Sequence, residues 1–138
     1  MELCSGVILG MGESVEQRVE MALELAEINP DSIPVNILTP IPNTPFESYN
    51  DKIDEENVLR TLAIFKIACP NASIRIAGGK KARLSEETIE KAFRYCVDST
   101  IVGNYLTTTG FSPDEDTKLI HKIGRTLKKE KDLASVTV

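Results

Sequence analysis

Apolar residues recur along the chain in two rhythms. Runs at positions 3–9, 33–39, 73–77 and 100–105 read as short strands, and each gives way to a stretch with helical spacing. Ser14-Val15-Glu16-Gln17 is a capping box, followed by an apolar stripe of Val15, Val19, Ala22, Leu23 and Ala26. A second helix is expected from Asp54, with Leu59, Leu62, Ala63 and Ile67 inward, ending before Pro70. Ser85 caps a third, in which Leu84 staples Ile89 and the buried face is Ile89, Ala92, Phe93 and Cys96. Ser112-Pro113-Asp114-Glu115 opens a fourth with proline at its first position, and its stripe is Leu119, Ile120, Ile123 and Leu127.

Strand and helix repeated four times, at about 30 residues per unit, imply parallel strands joined by right-handed crossovers. An open doubly wound sheet and part of a (β/α)8 barrel both satisfy that pattern. Strand parity bears on the choice. Leu3, Val7 and Leu9 share one face, leaving Cys4, Gly6 and Ile8 on the other; Val35 and Ile37 flank Asn36, and Ile74 and Ile76 flank Arg75. If the aliphatic members pack under helices, Cys4, Asn36 and Arg75 point the opposite way. A sheet covered on both faces would bury that arginine at a cost of several kcal/mol unless paired, whereas a barrel would turn the same residues into a polar cavity. The plainer alternatives are a structural ion pair for Arg75, a tie to a loop for Asn36 and core filling for Cys4.

Composition narrows the function classes. The 138 residues are 41% hydrophobic and 27% charged with a net charge of −5, which suits one globular domain and argues against a nucleic-acid binder. No run reaches the ~18 apolar residues that cross a bilayer, and no basic-then-apolar leader is seen, so a cytoplasmic protein without membrane partners is expected. Cys4, Cys69 and Cys96 form no CxxC pair, so neither a zinc knuckle nor a disulfide framework is indicated; Cys69 and Cys96 read as small buried hydrophobes. His121, alone, reads as a helix-surface residue. Lys128, Lys129 and Lys131 mark a helix end, with positions 128–138 a charged, flexible tail after a domain spanning 1–127.

Two loops after strands carry further signal. Thr39-Pro40-Ile41-Pro42-Asn43-Thr44-Pro45 is too proline-rich for regular structure, and Asn104 to Gly110 supplies hydroxyls ahead of a helix start that suit a carboxylate or phosphate. Gly6-Val7-Ile8-Leu9-Gly10-Met11-Gly12-Glu13 has the form GxIxGxxE, which resembles the fifth-strand motif of radical S-adenosylmethionine enzymes. The string CSGVILGMGES, followed by PVNIL, PxxxTP, IRIAGG and NYLTTTG, is similar to the biotin synthase family over nearly the whole chain.

That resemblance implies the fifth to eighth units of a (β/α)8 TIM-type barrel, an α/β half-barrel. It implies Cys4 as a ligand of a 2Fe–2S cluster that supplies sulfur, with Arg75 as a guanidinium ligand of the same cluster. Gly6, Ile8, Gly10, Glu13 and Asn36 would border S-adenosylmethionine, and Asn36, Thr107 and Thr108 would bind dethiobiotin, the last two at its carboxylate. The whole enzyme would convert dethiobiotin to biotin and would be a homodimer. The CxxxCxxC motif for the 4Fe–4S cluster is nowhere in the sequence, nor are further cysteines for the 2Fe–2S cluster, which needs four ligands. The expectation is a chain that is inactive alone, with no complete catalytic set, and that pairs with an N-terminal half-barrel or with itself. Alternatives are a half-barrel of another radical S-adenosylmethionine enzyme with a different substrate, and a non-catalytic binding or assembly module. Two departures stand out: Asn43 where the family commonly has glycine, and Gly79-Lys80-Lys81-Ala82-Arg83 in place of the usual Gly-Arg-Glu run, both expected to alter loops over the cavity.

Overall fold

A computed structural model describes residues 1–102 and 112–127. Its elements are β1 (Val7–Leu9), α1 (Val15–Ile28), β2 (Ser32–Ile37), a 3-10 turn at Glu47–Tyr49, α2 (Glu55–Ala68), β3 (Ser73–Ile76), α3 (Lys80–Arg83), α4 (Glu86–Tyr95), β4 (Ser99–Thr100) and α5 (Pro113–Lys122). The strands form one sheet in the order β1-β2-β3-β4, all pairs parallel. Sequential parallel order is the pattern of a barrel wall, with β1 and β4 as the edges among the described residues.

The expected helix starts are present. Ser14 and Ser112 form complete capping boxes, Asp54 accepts from the Asn57 amide, Ser85 accepts from the Thr88 amide, and Pro113 occupies the first turn of α5. Each side-chain oxygen satisfies an amide that the helix leaves unpaired.

One core fills the space between the helices and one face of the sheet. Leu9, Ile33, Val35, Ile37, Ile74 and Ile76 meet Ala22, Leu25, Val58, Leu62, Phe65, Ile89, Ala92 and Phe93, all buried. These strand residues share the parity read from the sequence. Cys69 and Cys96 lie in this core, and burial pushes both thiols up.

Several expectations are corrected. α1 turns Arg18, Ala22 and Leu25 toward the sheet, while Val15, Val19 and Leu23 are exposed. Its phase is fixed by Glu13, whose backbone oxygen accepts from Arg18 Nη1 at 3.1 Å and whose carboxylate lies 3.6 Å from it. Ile67 is 80% exposed, because Val58, Thr61, Leu62 and Phe65 carry the buried face of α2. In the last helix Ile123 is buried, Leu119 packs partly, Leu127 is exposed, and Asp116 is the buried residue of α5.

The first strand is shorter than expected. Cys4 makes only an isolated bridge to Ser32, and regular pairing resumes at Val7. Pro34 is the reason. The Ser32 amide donates to Leu3 on the β1 side, so the position two residues on faces the same way, and proline has no N–H to give. Gly6 fits this gap: a Cβ there would stand 2.2 Å from the Pro34 carbonyl oxygen. β4 is regular only over Ser99–Thr100, and positions 103–105 of the expected fourth strand, with positions 128–138, lie outside the described residues.

Candidate functional site

The sheet face opposite the core carries the chemistry. Strand alternation and register place Cys4, Gly6 and Ile8 of the first strand beside Ser32, Pro34 and Asn36 of β2, then Ser73 and Arg75 of β3, then Ser99 of β4. Cys4, Gly6 and Ile8 are exposed; Pro34, Asn36, Arg75 and Ser99 are half-buried. Among the described residues helices cover one side of the sheet only, so the thiol and the guanidinium share the other face, as the parity reading requires.

Arg75 Nε donates to Ser99 Oγ at 3.3 Å, and Ser99 Oγ lies 3.3 Å from Ser73 Oγ. Among the described residues Arg75 makes no salt bridge, so the structural ion pair does not account for it. A half-buried cation without a carboxylate is suited to an anionic ligand. Asn36 is engaged: its Oδ1 accepts from the Gly78 amide at 2.9 Å, fastening the end of β2 to the turn after β3.

The glycine-rich stretch after β1 is shaped by Glu13. Its two carboxylate oxygens accept from the Gly10 and Met11 amides, each at 2.8 Å, which closes the loop into a tight turn. Gly10 has φ +94°, and a Cβ on it would stand 2.8 Å from Ile53 Cγ2. Gly10 and Glu13 therefore set the wall beside Ile8.

The proline-rich loop crosses the same end of the sheet. Asn43 has φ +64°, the left-handed region that favours glycine and next tolerates asparagine. Its amide donates to Glu47 Oε2 at 2.9 Å. Arg83 holds the loop's far end, donating to Asn50 Oδ1 and Asn50 O at 2.6 Å each and to Ile53 O at 3.2 Å.

The second departure is structural as well. Lys80 Nζ lies 2.5 Å from Asp116 Oδ1, with the two side chains 2% and 4% exposed. It also donates to Thr100 Oγ1 at 3.0 Å and sits 5.6 Å from the centre of the Phe93 ring. Burial pulls the Lys80 ammonium below the usual lysine range, and the Asp116 carboxylate opposes that shift. The Lys80–Asp116 pair and the Arg83 latch were missed from the sequence. In the sequence Lys80 stands only within the departing Gly79–Arg83 run, and Asp116 has no assigned role. Thr107 and Thr108 lie outside the described residues. His121 is exposed, as expected.

Of the four ligands a 2Fe–2S cluster needs, this face offers Cys4 and Arg75. Among the described residues no group of three or more His, Cys, Asp or Glu side chains could hold a metal ion. The donors present fit part of a ligand set and not a whole one. Among the same residues no helix is long and apolar enough to cross a membrane.

Four parallel β/α units with a polar inner face define an α/β half-barrel of the TIM type. The chain belongs to the family of the biotin and thiamin synthesis associated domain, whose model matches residues 34–126. It is 41% identical over 128 residues to biotin synthase 1 of Corynebacterium diphtheriae, covering 93% of this chain and 36% of that protein. It is 42% identical over 124 residues to the biotin synthase of Acetivibrio thermocellus, covering 90% and 38%, and 42% identical over 129 residues to that of Acidothermus cellulolyticus, covering 94% and 38%. The chain thus spans little more than a third of the length of these relatives and matches their C-terminal part.

Proposed function

We propose that this chain supplies the fifth to eighth units of a biotin synthase barrel and takes part in sulfur insertion into dethiobiotin. One observation carries the reading: Cys4 and Arg75 stand on the same open face of a parallel half-barrel, and Arg75 has no carboxylate partner among the described residues.

In this reading Cys4 supplies a thiolate and Arg75 a guanidinium nitrogen to a 2Fe–2S cluster, whose remaining ligands come from the other half. In the complete enzyme the clusters and S-adenosylmethionine supply sulfur and the radical. This chain's own residues bind and orient. Gly6 and Ile8 present a flat, open strand surface for S-adenosylmethionine, and the Gly10–Glu13 turn closes its margin. Asn36, through its bond to Gly78, holds the floor between cofactor and dethiobiotin, whose carboxylate is assigned to Thr107 and Thr108. The chain alone, with two of the cluster donors, is inactive.

Reconstitution tests this reading. The chain is combined with an N-terminal half carrying CxxxCxxC, the clusters are rebuilt, and conversion of dethiobiotin to biotin is measured. Conversion by the mixture and by neither half alone is expected, as is its loss in Cys4→Ala. Undiminished conversion with Cys4→Ala would defeat the assigned role.

A further inference from the structure

We propose that Pro34 is a space-determining residue: it keeps a low floor between Cys4 and Arg75, so that one compact group can meet both. The nature of that group, a 2Fe–2S cluster, rests on the reading above, which gives Pro34 itself no part.

Register provides the first support. Cys4 stands on the first strand and Arg75 on β3, with β2 between them. Two strand spacings of about 4.8 Å place their backbones about 10 Å apart, so the side chains can share a group only across β2. The residues of β2 that face this gap are Ser32, beside Cys4, and Pro34, beside Arg75. Both are short. Among the described residues Arg75 spends Nε on Ser99 Oγ, and its two terminal nitrogens make no hydrogen bond, so they are left to reach over Pro34. A leucine at position 34 would rise into the space that thiol and guanidinium have in common.

The Pro34 ring provides the second. A Cβ on Gly6 would stand 2.6 Å from Pro34 Cγ and 3.0 Å from Pro34 Cδ, so the ring lies against the bare Gly6 backbone. Glycine on one strand thus lets the proline of the next lie low.

The cost of a proline here provides the third. In a regular parallel ladder the amide at position 34 would donate to Ser5 O, continuing the bonds from Ser32 N to Leu3 O and from Ser5 N to Ser32 O. Pro34 gives up that bond inside the sheet, whereas proline in sheets keeps to edges and bulges. The helical core gains nothing in return, because position 34 faces away from it and is half-buried. What the ring supplies is a compact, rigid surface between the thiol and the guanidinium.

The full chain is treated with a reagent carrying a maleimide and an arylglyoxal about 10 Å apart, and linked peptides are identified by mass. The maleimide takes Cys4, which is exposed while Cys69 and Cys96 are buried, and the glyoxal takes an arginine within reach. A Cys4–Arg75 link is expected in the native chain and in Pro34→Ala, which restores the amide and keeps the floor low. Pro34→Leu restores the same amide but raises the floor. Its yield of the link is expected to fall at least about tenfold, because a two-point reagent fails where geometry forbids both contacts. Single-headed maleimide and glyoxal should label all three chains alike, and Pro34→Val replaces Pro34→Leu if the latter misfolds or labels differently. In the mixture reconstituted with the N-terminal half, Pro34→Leu is expected to lose the 2Fe–2S absorption and keep that of the 4Fe–4S cluster. The proposal is overturned by a native chain without the link, by a link undiminished in the bulky variant, or by equal loss in Pro34→Ala. A 2Fe–2S absorption retained in Pro34→Leu overturns it too. The cross-link needs no cluster, so its outcome is separate from that of the reconstitution: native halves that rebuild no 2Fe–2S cluster would strike the cluster reading, not the gap over Pro34.

Discussion

Asp116→Ala removes one partner of a nearly water-free ion pair and is the sharpest test of how the last helix is held. In the native chain the ammonium and carboxylate are 2.5 Å apart, with side chains 2% and 4% exposed. Deleting the carboxylate leaves the Lys80 charge with the Thr100 hydroxyl and the Phe93 ring, too little to replace hydration. Breaking such a pair costs about 3–5 kcal/mol, a large part of the ~5–15 kcal/mol that holds a domain together. Lys80→Met strands the carboxylate instead and is expected to cost a similar amount. Lys80→Met/Asp116→Leu, which removes both charges and keeps the volume, is expected within about 2 kcal/mol of the native chain. The pH dependence has a definite sign. Because burial lowers Lys80 below its unfolded value, charging it is disfavoured in the folded state. Its contribution therefore improves as pH rises from the lowered value toward the unfolded ~10.4. Urea unfolding by circular dichroism at neutral pH gives all three values, and repeating the native chain and Lys80→Met at alkaline pH isolates the lysine. A loss below about 1 kcal/mol for Asp116→Ala, or single losses that simply add in the double variant, would refute the account.

Gly79→Ala places a Cβ 2.1 Å from the Ile37 carbonyl oxygen at φ +83° and is expected to cost well over ~2 kcal/mol in urea unfolding; Gly124→Ala, at φ +78° with nothing within 4 Å, is expected to cost only the ~1–2 kcal/mol of a left-handed residue. Arg83→Ala removes three hydrogen bonds that fasten Asn50 and Ile53, so hydrogen exchange across 40–53 should rise while α2 and β2 stay protected; uniform protection would mean the latch is idle. Glu115, Asp54 and Glu55 are held below the usual carboxylate range, each chiefly by a backbone amide, of Ser112, Asn57 and Ser85 respectively. Their contribution is full above pH ~4.3 and disappears as pH falls through the lowered values. Glu115→Ala lacks the titrating carboxylate altogether, so its urea stability should fall less on acidification from about pH 7 to about pH 3 than that of the native chain.

What was legible in the sequence is what local physics decides. Ser14, Asp54, Ser85 and Ser112 announced their helices because a capping oxygen must sit next to the amides it satisfies. The period-two pattern of Val35/Ile37 and Ile74/Ile76 fixed which side of the sheet packs, and with it the open face of Cys4, Asn36 and Arg75. What escaped depended on partners distant in the chain. The phase of α1 could not be read from its apolar residues, because Val15, Val19 and Leu23 compete with Met21, Ala22 and Leu25 for the buried face, and Arg18 with Glu13 decides it. The break in the first strand had a signal, a proline in a strand whose two neighbours both need its backbone. The Lys80–Asp116 pair had none, since each residue taken singly is an ordinary surface charge.

The division between the two faces of the sheet bears on how closure and ligand binding are coupled. Aliphatic side chains and helices stabilise one face; the other places Gly6, Pro34, Arg75 and Ser99 in one row of the register. In the open half-barrel Arg75 is half-buried and keeps water, so its charge is carried at little cost. Completion of the barrel, as proposed above, would remove that water. The guanidinium then costs several kcal/mol unless something accepts from it, and no carboxylate among the described residues does. A ligand that meets Arg75 relieves that penalty in the closed form alone, since the open form never incurs it. In the proposed complete barrel, ligand binding and closure would therefore favour one another by the same free energy, with Arg75 as the residue that links them.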